Sequence, residues 1–108
     1  MIAKTPSPPY YAVIFTSVKK EDEGYAEMAA RMNMLAAEQE GFLGMESARN
    51  EVGITVSYWK NTEAIRKWKM QAEHLEAQRL GRKSWYSAYR IRVCLVERDY
   101  AFSEGDTL

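Results

Sequence analysis

One cysteine, Cys94, stands in the 108 residues, so no intramolecular disulfide can form. The three prolines all fall within the first nine positions, which leaves no proline break in the remainder. Charge of neither sign prevails: Lys plus Arg and Asp plus Glu number 15 each. That balance provides no basic footprint for nucleic acid and no attraction to an anionic membrane surface. No apolar run approaches the roughly 18 residues that would span a bilayer. The opening MIAKTPSPPY lacks the apolar middle of a secretory signal. Nowhere is there a phosphate loop, a metal-ligand cluster or a Ser/His/Asp spacing. These absences lead us to expect a soluble, cytoplasmic protein with no nucleic-acid, membrane or metal partner.

What the chain has in quantity is aromatic and apolar surface: seven tyrosines, three tryptophans and six methionines. The passage Ser57 to Tyr89 holds all three tryptophans (Trp59, Trp68, Trp85) and the lone histidine, His74. At this length there is room for one domain with one core. Residues 1–9, with Pro6, Pro8 and Pro9, are expected as an extended tail. The domain itself is expected over 10–102, with a short tail at 103–108.

Tyr10 to Val18 reads as a strand that is apolar on both faces, Tyr10, Ala12, Ile14 and Val18 opposing Tyr11, Val13 and Phe15. Asp22 is placed to cap a helix in which Tyr25, Met28, Ala29, Met32, Leu35 and Ala36 form one stripe at helical period. Gly41 is a stop signal for that helix. Phe42 to Arg49 and Ile54 to Trp59 read as strands joined by a turn over 50–53. Asn61 or Thr62 caps a second helix, whose face carries Ile65, Trp68, Ala72 and Leu75 and whose stop is Gly81. A long last strand leads in from Trp85 and ends near Arg98. On it Tyr89, Ile91, Val93 and Leu95 alternate with Arg90, Arg92 and Cys94.

The order strand–helix–strand–strand–helix–strand specifies an α+β, ferredoxin-like βαββαβ fold. Right-handed crossovers place both helices on one face of a four-stranded antiparallel sheet. The other face is then left with an apolar set that a monomer would seldom expose, so the chain is expected to be a homodimer packed sheet to sheet. Trp59 and Trp85, at strand ends, are candidates to pad that contact.

The passage SYWKNTEAIRKWKMQAEH, preceded by GFLGMES, resembles the antibiotic biosynthesis monooxygenase family of dimeric α/β-barrel proteins, from about Tyr11 to Tyr100. The resemblance implies a dimer and a chemistry drawn from cofactor-free quinone-forming monooxygenases, heme-degrading enzymes or members without known activity. The heme-degrading members share a tryptophan nine residues after the aromatic that ends the third strand, as Trp68 follows Trp59 here. Where they carry the ligating histidine, this chain has Gln78, a poor iron ligand, and its first strand lacks their asparagine. Heme binding is therefore the disfavoured third reading.

Cofactor-free oxygenation asks less of a protein: a dry pocket, a proton acceptor and donors for the resulting oxyanion. His74 is the candidate catalytic base, since an unperturbed imidazole titrates near neutrality. Tyr58, Trp59 and Trp68 are candidates for an aromatic slot, Gln78 for a polar ligand contact, and Arg82 for an anionic group on the substrate. The expected function is monooxygenation of a small aromatic compound, without bound cofactor or metal, between helices and sheet. The rival is a ligand-binding or stress-related module with the same pocket and no turnover. Each residue also has an ordinary alternative: a surface histidine on a helix flank, and tryptophans in the core.

Overall fold

In the computed structural model the described residues are 2–20, 24–80 and 85–105, with 75–80 described by their backbone. The elements are β1 (Tyr10–Lys19), α1 (Tyr25–Glu38), β2 (Phe42–Arg49), β3 (Gly53–Trp59), α2 (Thr62–Leu80) and β4 (Tyr86–Val96). The strands form one antiparallel sheet in the order β2-β3-β1-β4, so β1 and β3 are central as the βαββαβ order requires.

Local chemistry explains most of the boundaries. Asn61 caps α2: its side-chain oxygen accepts the Ala64 N–H at 2.8 Å. At the other end of α1, Gly41 takes φ +87, a left-handed conformation that turns the chain into β2. There its carbonyl accepts the Lys60 N–H at 2.8 Å, which ties the end of β3 to the start of β2. α1 begins after Gly24 with no side-chain cap. The expected cap Asp22, the expected stop Gly81 and the side chain of Leu75 lie outside the described residues.

The strand register assigns each side chain to a face. Tyr11, Val13, Phe15 and Ser17 lie on the helix side, and Ala12, Ile14 and Thr16 on the other. The core gathers on the helix side around Ala36 of α1, Trp59 of β3, and Ala64 and Ile65 of α2, with Tyr11, Val13, Phe42, Met45 and Trp68 against it. The α1 stripe read from the sequence is at least half-buried at all six positions, with Met28 and Ala36 fully so. Trp59 is 0 % exposed and Trp85 is 8 % exposed within the single chain. Both tryptophans therefore belong to the chain's own interior, and the expectation that they pad a dimer contact is corrected. A strand-end position does not imply exposure where a helix lies against it: Trp68 of α2 stacks on Trp59, and Tyr25 of α1 meets Trp85 edge to face.

The helices lie over the β2–β3 half of their sheet face. Along β4 the row on that same face stays open: Tyr89 is 59 % exposed, Ile91 44 %, Val93 52 % and Leu95 51 %. The opposite face keeps Ile14 and Val56 half-buried and exposes Val18 and Ile54. Over part of that opposite face runs the N-terminal segment. It is neither helix nor strand, and it is attached: the Ala3 N–H donates to Glu46 Oε2 at 2.8 Å, and the Thr5 hydroxyl to the Tyr10 hydroxyl at 2.9 Å. Among the described residues no helix is long and apolar enough to cross a membrane.

Candidate functional site

The helix-side face of the sheet can be laid out in four rows, each crossing β2, β3, β1 and β4. They run Phe42–Trp59–Tyr11–Leu95, Met45–Ser57–Val13–Val93, Ser47–Thr55–Phe15–Ile91 and Arg49–Gly53–Ser17–Tyr89. The first row is closed over β2 and β3. Trp59 stacks on Trp68 at 6.3 Å between ring centroids with 22° between planes, and meets Phe42 edge to face at 5.4 Å. Its indole N–H donates to Ser57 Oγ at 2.8 Å, so the ring is held both by packing and by a satisfied donor.

The β4 ends of all four rows are open. Phe15 and Val13, both half-buried on β1, and Ile91 and Val93 on β4 make an apolar floor beside the helices. Aromatic rings border it: Phe15 lies 5.1 Å from Tyr86 and 5.5 Å from Tyr89, and Tyr86 lies 5.7 Å from Tyr25 of α1. These spacings are those at which aromatic rings attract, and a flat ring laid on the floor would meet the same geometry. A separate shallow groove of about 430 Å3 runs along α1, lined by Glu27, Ala30, Arg31, Met34, Leu35 and Glu38. It belongs to one helix, carries three charged side chains and touches none of the floor residues, so we place the candidate site on the floor.

The site residues read from the sequence divide as follows. Trp59 and Trp68 are brought together at the closed end. Tyr58 is adjacent to Trp59 on a strand, and so points to the opposite face. His74 is exposed on α2. It follows the buried-side residue Ala72 by two positions, about 200° around the helix. The side chain of Gln78 and all of Arg82 lie outside the described residues. Among the described residues no group of three or more His, Cys, Asp or Glu side chains is placed to hold a metal.

Tyr58 enters a different cluster, one that sequence reading missed. Its hydroxyl donates to Glu46, which also receives the Ala3 N–H. The Tyr10 ring stands edge-on to the Tyr58 ring at 5.8 Å, and the Tyr10 hydroxyl donates to Asp99 Oδ2 at 2.5 Å. Burial, followed by the bond to Glu46, pushes the Tyr58 phenol up to about 12. The bond to Asp99 raises the Tyr10 phenol. Glu46 is held below the ordinary carboxylate range, first by the Tyr58 hydroxyl and then by the Ala3 N–H. The partners are 12, 43 and 89 residues apart, so no short motif announces them.

A pH dependence follows from these shifts. A phenol raised in the folded state stabilises the fold fully below its unfolded value of 10.0, and that contribution is lost as pH rises towards 12. A carboxylate lowered in the folded state contributes above its unfolded value of 4.5, and that contribution is lost as pH falls. Urea unfolding should therefore show a loss of stability between about pH 10 and 12, and Tyr58→Phe should reduce that loss while Tyr10 retains its share. An unchanged alkaline loss in Tyr58→Phe would show that the pair is not formed.

Comparison with known proteins agrees with this architecture. The sequence profile of the monooxygenase af470-like family matches residues 13–93. The protein YqjZ of Bacillus subtilis (strain 168), itself uncharacterised, is 54 % identical over 107 residues, covering 96 % of this chain and 94 % of that protein. Among solved structures, the protein SO0527 of Shewanella oneidensis superposes with a TM-score of 0.66 at 10 % identity, covering 91 % of this chain and 100 % of that one. SnoaB of Streptomyces nogalater, a cofactor-independent oxygenase, gives a TM-score of 0.58 at 19 % identity, covering 93 % of this chain and 96 % of that one. At these identities the solved structures speak for the ferredoxin-like fold of antibiotic biosynthesis monooxygenases, whereas the profile spans most of the chain. The chain belongs to the monooxygenase af470-like family.

Proposed function

We propose that this protein is a cofactor-independent monooxygenase that works as a homodimer and takes a small, flat aromatic compound on the floor formed by Val13, Phe15, Ile91 and Val93. The observation that carries the reading is the open apolar row of β4 on the helix side of the sheet, bordered by Tyr86 and Tyr89. Monomers seldom leave such a patch in water, and a flat ring fits it by the contacts already present between its aromatics. Family membership supports the chemistry.

In the reaction, a ring methylene or phenol-activated carbon of the substrate loses a proton, and the resulting carbanion passes an electron to dioxygen. The two recombine at carbon. Loss of water then leaves a carbonyl, so one oxygen atom enters the product and the other departs as water. The chain supplies orientation on the floor, and His74, exposed on α2, is the candidate to accept the proton through an intervening water. The test is aerobic turnover of a dihydroxynaphthalene or an anthrone under isotopically labelled dioxygen. One labelled oxygen should appear in the product with no flavin, nicotinamide or metal added. Turnover only after such an addition would refute the cofactor-independent reading.

The exposure of His74 favours a second reading, a ligand-binding module with the same floor and no turnover. His74→Ala separates the two. In an enzyme that uses this base, kcat should fall by about 100-fold or more with little change in affinity. In a binding module, both proteins would bind alike and neither would turn over.

A further inference from the structure

At one end of the floor the row Arg49–Gly53–Ser17–Tyr89 has an unusual occupant. Arg49 does not point away from the sheet. Its guanidinium lies across β3 in the space that a side chain at Gly53 would fill, where an added Cβ would come within 2.1 Å of the Arg49 Cζ. Lying flat, it reaches β1, where it donates to the buried Ser17 hydroxyl and, at 3.5 Å, to the Ser17 carbonyl. Above it is the Tyr25 ring, 5.5 Å from the guanidinium carbon. The Lys19 ammonium stands 5.0 Å from the centre of the same ring. Two cations thus converge on one aromatic, and among the described residues neither has a carboxylate partner.

A guanidinium fixed by a buried hydroxyl is pre-organised: little rotamer freedom remains to be lost when it binds. The next two rows are apolar at their β1 and β4 positions, Phe15 with Ile91 and Val13 with Val93, and Tyr89 in the guanidinium's own row lies tilted towards Phe15. The site therefore offers a flat apolar bed with a fixed positive charge at one end.

We propose that Arg49, assisted by Lys19, anchors the anionic group of an aromatic acid or phenolate whose ring rests on Phe15, Tyr89 and Ile91. This rests on the floor being the ligand site and specifies which aromatic compounds it selects, namely those carrying a negative charge at one end. Gly53 is part of the device, because any side chain there displaces the guanidinium.

The test compares naphthoate, an anion at neutral pH, with naphthol, which is neutral there and nearly the same shape, by titration calorimetry on the full chain. Naphthoate should bind about tenfold tighter or more, as a charge-assisted contact gives. Arg49→Gln should remove that advantage and leave naphthol unchanged. Gly53→Ala keeps the charge but moves it, and should do the same at little cost to the fold, since the atom displaced is the end of a flexible side chain. Equal binding of both probes by the unaltered protein would overturn the anchor while leaving the floor intact. So would an unchanged preference in Arg49→Gln, which would leave Arg49 with a structural task only. If neither probe binds, the floor itself is refuted and the anchor with it.

Discussion

Replacing Trp59 with alanine will cost the fold about 3–5 kcal/mol, the largest loss from any single side chain, and lower Tm by on the order of 15–30 °C. Trp59 is fully buried and joins three elements at once: its ring stacks on Trp68 of α2, stands edge-on to Phe42 of β2, and is fixed to Ser57 of its own strand. Truncation leaves a cavity bounded by the sheet on one side and Ala64 and Ile65 on the other, neither of which has the reach to refill it. Trp59→Phe retains the edge contacts and should cost less than half as much. Thermal denaturation of the two variants is the check. A loss in Trp59→Ala below about 1 kcal/mol would mean that the closed end of the sheet is not the core described here.

The second large effect concerns assembly. Ile54→Asp should convert a dimer into a monomer at micromolar concentration, weakening association by about 100-fold, with only a small change in monomer stability. Ile54 lies on the face away from the helices, in the row Ala48–Ile54–Thr16–Arg90, and is 46 % exposed in the single chain. Beside it are the half-buried Ile14 and Val56. A second copy seated there would bury this set, and a carboxylate in its middle would be desolvated without a partner. Light scattering of the unaltered protein and the variant decides the matter. A monomer in both cases would remove the sheet-to-sheet dimer, and the open apolar face would then need another explanation.

Element order, the alternation of faces and the stripe on α1 were all legible in the sequence, because each depends on a short local period. Phe42–Arg49 matched its expected limits since Gly41 and the turn after Arg49 bound it on both sides. Even the exposure of His74 can be read from the spacing Ile65–Trp68–Ala72, which puts residue 74 on the far side of the helix. The alternation rule likewise separates Tyr58 from Trp59, adjacent residues that cannot line one slot from a single strand. What could not be read is whatever depends on register. The bond from Tyr10 to Asp99 joins residues 89 apart, and Arg49 lies across Gly53 only because β2 and β3 pair in one particular alignment. Nor could hydrophobic pattern alone show that the helices favour one half of their face. Tyr89, Ile91, Val93 and Leu95 have the alternation of a half-buried strand whether or not a helix lies above them.

That open half-face is where the functional reading and the anionic anchor meet. The most direct test is a nuclear magnetic resonance titration of the isotopically labelled protein with naphthoate, following methyl and aromatic signals. The expected result is saturable shifts confined to Val13, Phe15, Tyr89, Ile91 and Val93, with contacts from the probe to those side chains. Shifts that instead gather along the outer groove of α1, at Ala30, Met34 and Leu35, or that never saturate, would contradict it.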